Sequence, residues 1–237
     1  MIDGRAAEQR TRHGARATAR RPLGGLVGRA VGIGLATGAY GLSFGALAIT
    51  AGLSLPKAAA MSALVFTGAT QLSVVGALAA GGAVAPAVAS GLVIAGRHVA
   101  YGIAVAPLLP AALRVRLVGA HLVIDESTAM ARAQPDAPSG RLAFWVTGAS
   151  VFVCWNAATI AGALIGRAIA DPAALGLDAV FPAAFVALLA PQLTTRAARE
   201  AALAGAAIAA AFVPFSPAGV PILAAAAAAL AVGWRRA

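Results

Sequence analysis

Cysteine is almost absent. Cys154 is the only one in 237 residues, which excludes an intrachain disulfide and any cysteine-based metal cluster. Lying in an apolar run, it reads as a small packed residue. Charge is scarce too, at 11% of residues with only eight acidic side chains, against roughly a quarter charged in ordinary soluble domains. What fills the chain is apolar: 60% hydrophobic residues and a mean hydropathy of +0.85. That composition points to an all-α polytopic membrane protein, with no room for a separate soluble domain after the first apolar run.

A net charge of +10 invites a nucleic-acid reading, but its placement argues otherwise. Arg5, Arg10, Arg12, Arg16, Arg20, Arg21 and Arg29 fall before or just inside the first apolar run. Such a cluster holds that end of a membrane protein in the cytoplasm, and binding of anionic lipid heads is secondary. Arg20-Arg21 formally resembles a twin-arginine export signal, and the acid-poor tail a transit peptide. Arginine outnumbers lysine 17 to 1 along the whole chain, however, so the tail shares a general bias. Residues 1–22 are therefore expected to be a basic, disordered cytoplasmic tail, and 23–237 a single transmembrane domain. Nucleic acid, cofactor and metal are not expected.

Six to seven hydrophobic segments follow. The first, near 30–53, carries Gly34, Gly38, Gly41 and Gly45, pairs spaced by four that let another backbone approach one helix face. A second span near 58–80 holds Thr67, Thr70, Gln71 and Ser73 in its middle. The run 83–113 comes next, then "LVGAHLVIDESTAM" and the polar loop "ARAQPDAPSGR". Four further crossings are read near 142–166, 179–195, 201–214 and 218–234, of which the short, alanine-rich 201–214 has the weakest claim to span.

The sides must balance. With the tail, the Arg114–Arg141 region, the Arg196/Arg199 turn and the C-terminal Arg235-Arg236 all cytoplasmic, the stretch 83–113 has to begin and end on one side. Its roughly 31 residues are too few for two crossings at about 20 each. They suffice for a broken or re-entrant pair of half-helices, with the break at Gly96-Arg97-His98. One long tilted helix is the competing reading.

An arginine in mid-span costs about 2.5–3.5 kcal/mol on insertion scales and so marks a partner or a function. Asp125 and Glu126 are the only carboxylates in an apolar context, and either can neutralise Arg97 in a structural ion pair. Alternatively, Arg97 meets the carboxylate of a small substrate through its planar fork. His98 is either a hydrogen-bonded packing residue or a proton carrier. Gln71 needs hydrogen-bond partners in mid-span, from another helix or from a substrate. "GLSFG" is a formal G-x-S-x-G around Ser43, with His98 and His121 as bases, but that motif works only at a strained strand-to-helix turn. An intramembrane hydrolase and a non-transporting assembly subunit are the rivals to a transporter.

Taken in order, "GLSFGALAITAGLS", "SALVFTGATQLSVVG", "GRHVAYG", "DEST" and "LDAVFPAAFVALLAPQL" resemble the AzlC family, the large subunits of bacterial branched-chain amino acid exporters. The similarity runs from about Leu26 to the C-terminus. Gly68 and Gln71, Arg97, His98, Tyr101 and Gly102, and Asp125 and Glu126 match the family's patterns, while Ala95-Gly96 stand where the family carries an asparagine. The resemblance implies a non-enzymatic inner-membrane exporter of valine, leucine and isoleucine, using the proton gradient and a small AzlD-type membrane subunit. It implies substrate contacts at Arg97, Gln71, Tyr101 and Gly68. Proton coupling or ion pairing would then fall to His98, Asp125 and Glu126.

Overall fold

A computed structural model describes residues 23–168, 186, 189–190, 193–216 and 219–226. The basic tail 1–22, the linker 167–178 beyond Ala168, most of the run 179–195 and the end of the run 218–234 lie outside the described residues. Among those described, the secondary structure is helical throughout, with no strand. Four stretches are long and apolar enough to cross a membrane: Gly24–Thr50, Val84–Leu108, Ala137–Ala168 and Arg196–Phe215.

The frame is a pair of long helices, α1 (Leu23–Thr50) and α8 (Ala137–Ala168), in contact along most of their length. Glycine makes this contact possible. A Cβ on Gly34 would strike Ser150, one on Gly41 the Trp155 carbonyl at 2.9 Å, and one on Gly45 the Thr159 carbonyl. From the other side, a Cβ on Gly162 would strike the Leu42 carbonyl, and one on Gly166 would lie 3.0 Å from the Ala46 Cα. The pairings rise together along both helices, so α1 and α8 run parallel and begin at the same end of the molecule. The spacing read in the sequence thus finds its partner on α8. With no hydrophobic effect between helices in lipid, such close approach is what binds them.

Between these two helices the chain folds as shorter pieces. The span expected at 58–80 is two helices, α2 (Leu55–Leu64) and α3 (Gly68–Ala79), parted where Thr67 is fully extended (φ −156°, ψ 105°). Next come α4 (Val84–Ala95) and α5 (Arg97–Val105). The interruption falls where the sequence placed it, at Gly96, but Gly96 keeps right-handed helical angles (φ −52°, ψ −28°). The chain therefore continues forward through the break. The apolar piece after it is likewise broken, into α6 (Leu113–His121) and α7 (Asp125–Arg132), with Ile124 extended between them. The polar loop is shorter than expected because α8 starts at Ala137, where the Asp136 carboxylate accepts the Ser139 N–H at 2.8 Å. Last, α9 (Arg196–Phe212) begins with the Thr195 side chain accepting from the Ala198 N–H, and it buries none of its residues. Its extent with the turn that follows makes the short run 201–214 part of a stretch long enough to span.

If the glycine seam is the frame, Gly162→Ala should be enough to disturb it, because the obstacle is Leu42 backbone rather than a movable side chain. Overpacking of this kind costs about 1–3 kcal/mol. We expect the melting temperature of the purified protein to drop by at least about 3 °C. Gly32→Ala, where a Cβ meets nothing within 4 Å, should leave it unchanged.

Candidate functional site

Each helix break frees backbone carbonyls that need donors, and in each case a nearby polar side chain answers. At the first break, the Gln71 amide donates from Nε2 to the carbonyls of Met61 and Ser62, at 3.2 Å each. At the second, the Gly96 N–H reaches back to Val93, Arg97 Nη1 donates to the Ile94 carbonyl at 2.9 Å, and His98 Nδ1 meets the Ala95 carbonyl at 2.9 Å. At the third, Ser127 Oγ donates to the Leu122 carbonyl at 2.6 Å and accepts the Ile124 N–H at 3.1 Å. An arginine and a histidine side by side are thus, in part, the donors that a helix interruption demands.

The remaining donors of Arg97 turn to Asp125 on α7. Nε and Nη2 grip the two carboxylate oxygens at 3.1 and 2.8 Å, a bidentate pair. The Tyr101 hydroxyl donates to the same carboxylate at 2.7 Å. Of the two carboxylates the sequence offered, Asp125 is the one that takes Arg97, and Glu126 lies beside it, half-buried. The pair is not sealed off, since 26% of the Arg97 side chain and 45% of that of Asp125 remain accessible.

His98 and Gly102, the neighbours in sequence of Arg97 and Tyr101, line a partly open cavity of about 310 Å³. Its wall is made of breaks: Leu64 to Thr67 from the first, His98 and Gly102 from beside the second, Ala120, His121 and Val123 from the third. An aromatic group supports it, with Phe66 edge-on to Phe152 at 5.0 Å and His121 within 6 Å of both rings. His98 packs edge-on against Tyr101 at 5.6 Å, and its Nε2 is buried with no hydrogen-bond partner.

The structure brings Arg97, His98, Tyr101, Asp125 and Glu126 together and places Gln71 and Gly68 apart from them. Gln71 is fully buried, and its Oε1 accepts from Trp155 Nε1 at 2.9 Å, so the amide links α2, α3 and α8. Gly68 leaves room for the Trp155 ring, which a Cβ would meet at 2.8 Å. Ser62 adds a second tie, donating to Thr159 at 3.1 Å. Sequence reasoning did not assign His121, Phe66 or Val123 to the site. The signal for them was there only in outline, as two apolar stretches each too short to span once broken. Ser43 lies in the interior of α1, and no described residue other than glycine has a positive φ. The elbow a nucleophilic serine requires is therefore not found there.

Gln71 and Trp155 share one hydrogen bond, so their substitutions should not add. Gln71→Leu strands the Trp155 N–H and takes a donor from the Ser62 carbonyl, while Met61 keeps the Val65 N–H, and should cost about 1–3 kcal/mol. Trp155→Phe should cost a similar amount, and the double variant clearly less than the sum. Melting of all three in one detergent gives the comparison.

No curated protein and no solved structure matches the chain. Residues 32–169 match the family model described as "AzlC protein". The match runs from the glycine face of α1 through every helix break to the end of α8, covering more than half of the sequence, and the chain belongs to the AzlC family of membrane transport proteins.

Proposed function

We propose that this protein is the large subunit of a two-component inner-membrane exporter of branched-chain amino acids, coupled to protons, with a small AzlD-type partner. The observation that carries the reading is the convergence of three helix breaks on one cavity beside an arginine–carboxylate pair. Non-helical backbone at membrane depth is stable only where protein or water surrounds it, and transporters use such breaks to hold substrates. Valine, leucine and isoleucine each combine a zwitterionic head with an aliphatic branch. The wall supplies Leu64, Val65, Phe66 and Val123 for the branch. In the empty state Asp125 neutralises Arg97; on substrate entry the Arg97 fork turns to the substrate carboxylate, with Tyr101 holding Asp125 in place. Proton coupling or ion pairing falls to His98, Asp125 and Glu126. Gln71 and Gly68 contribute by fixing the first break rather than by touching substrate.

In this reading the chain has a cytoplasmic basic tail over 1–22 and one transmembrane unit from residue 23 onward, with six to seven segments. The parallel course of α1 and α8 supports a common, cytoplasmic start for both helices. The stretch 83–113 then carries its substrate-side interruption at Gly96 within one forward course, Val84–Leu108, that is long enough to cross.

The topology has a direct check. In a Cys154→Ala background, single cysteines replacing Thr18 and Ala137 should both react with an impermeant thiol reagent only from the cytoplasmic face. Labelling of the two from opposite faces would contradict the shared start of α1 and α8.

For the arginine, Arg97→Lys keeps the charge and loses the fork, and export of leucine from loaded cells should fall at least about tenfold. Arg97→Gln should abolish it. The decisive variant is Arg97→Gln with Asp125→Asn, which removes both charges and so avoids stranding either one. We expect it to insert normally and export nothing at matched expression; recovered export would reduce the pair to a structural role.

A further inference from the structure

The transport reading leaves open which atom receives the ammonium group of the substrate, and the geometry around His98 answers it. A carbonyl oxygen can only accept, so the 2.9 Å contact between His98 Nδ1 and the Ala95 carbonyl fixes the proton on Nδ1. In the neutral ring, Nε2 is then a bare lone pair. His98 lines the cavity, while Nε2 itself is buried without a partner; a group entering from the cavity reaches it only as the wall shifts, and until then the bare lone pair carries a penalty. The break at Gly96 creates the arrangement, because it frees the Ala95 carbonyl that orients the ring.

We propose that His98 Nε2 is the atom that accepts a hydrogen bond from the substrate ammonium, and that a proton competes for the same lone pair. This rests on the transport reading above. The two occupants exclude each other: protonated, the ring has no acceptor left and repels an ammonium by like charge; with the amino acid bound, the lone pair is engaged. Binding the proton releases the amino acid, and loss of the proton readmits it. A single site with mutually exclusive occupants is the minimal requirement for exchanging one species against the other.

The surroundings suit a cationic occupant. From α7, Asp125 places a carboxylate within electrostatic reach of the ring, with Glu126 beside it, and Tyr101 of α5 lies against the ring itself. Arg97 is next in sequence, but its charge is held by Asp125. From α6 the cavity receives His121, and from the break between α2 and α3 it receives no ionisable side chain.

The test uses full-length protein in lipid nanodiscs and two probes, L-leucine and 4-methylpentanoate, the same carbon skeleton without the ammonium. Leucine affinity should weaken by about tenfold per pH unit once the medium is acid enough to charge the ring, and His98→Gln, which cannot titrate, should bind leucine with a flat pH profile. Nitrogen NMR of the imidazoles, of which the chain has three, supplies an arm that needs no variant. At alkaline pH His98 should show the Nδ1–H form, with an Nε2 signal moved by leucine and not by 4-methylpentanoate. An unchanged pH slope in His98→Gln, or an Nε2 signal indifferent to leucine, overturns the assignment while the transport reading stands. Should the unmodified protein bind leucine at no pH, either alone or with the small membrane subunit, the transport reading falls and takes the assignment with it.

Discussion

The contact between α1 and α8 is the constraint on which the rest of the structure depends. Two helices can lie backbone to backbone only where side chains are missing, and here Gly34, Gly41 and Gly45 on one helix and Gly162 and Gly166 on the other provide the gaps. Everything around the cavity is tied to this seam from the α8 side. Trp155 stacks on Phe44 of α1 and donates to Gln71 of α3, while Thr159 accepts from Ser62 of α2. Phe152, from the same helix, backs the cavity wall through Phe66 and His121. Because the two long helices are parallel, the chain between them must return to its starting side, and the short helices with their breaks carry that return.

The breaks follow one rule. Interrupting a helix inside a bilayer leaves carbonyls and N–H groups that lipid cannot satisfy, at several kcal/mol each. In each break a polar side chain supplies a partner: Gln71, from the next helix, for Ser62, Arg97 and His98 for Ile94 and Ala95, Ser127 for Leu122 and Ile124. This gives "GRH" two tasks from one pair of residues. Arg97 closes a carbonyl with one nitrogen and grips Asp125 with the other two, which a lysine, as a single point charge, does less specifically.

The sequence made part of this legible. Membrane class, the glycine face of α1, the break at Gly96 and the pairing of Arg97 with one of two carboxylates all follow from local patterns and from the cost of a buried charge. The split of residues 58–80 did not, because its cause is non-local. Gly68 adjoins the break, but Gly34, Gly38, Gly41 and Gly45 sit inside an unbroken helix, so a glycine alone does not announce one, and the amide that stabilises the break belongs to a residue anchored on α8, 84 positions away. The same holds at Leu122 to Ile124, where an apolar run gives way to an extended segment whose only local signal is the serine two residues into α7. Gln71 illustrates the limit most clearly. Its need for partners was evident from its position, but whether those partners were carbonyls, an indole or a substrate could be decided only by seeing where Trp155 lies.

Converging breaks also constrain how such a cavity opens. The glycine seam is built from many backbone contacts at close range, and sliding one helix past the other would lose them together. The cavity's other wall is fastened differently, by a single partly accessible ion pair and one tyrosine hydroxyl between α5 and α7. A charged group of the substrate can replace either partner of that fastening, whereas nothing in an amino acid can replace a helix backbone. A ligand shifts a conformational equilibrium only by its difference in affinity between the two states. The substrate's leverage is therefore confined to the wall that carries Arg97, His98 and Asp125, and movement is expected in α5 and α7 while α1 and α8 stay fixed.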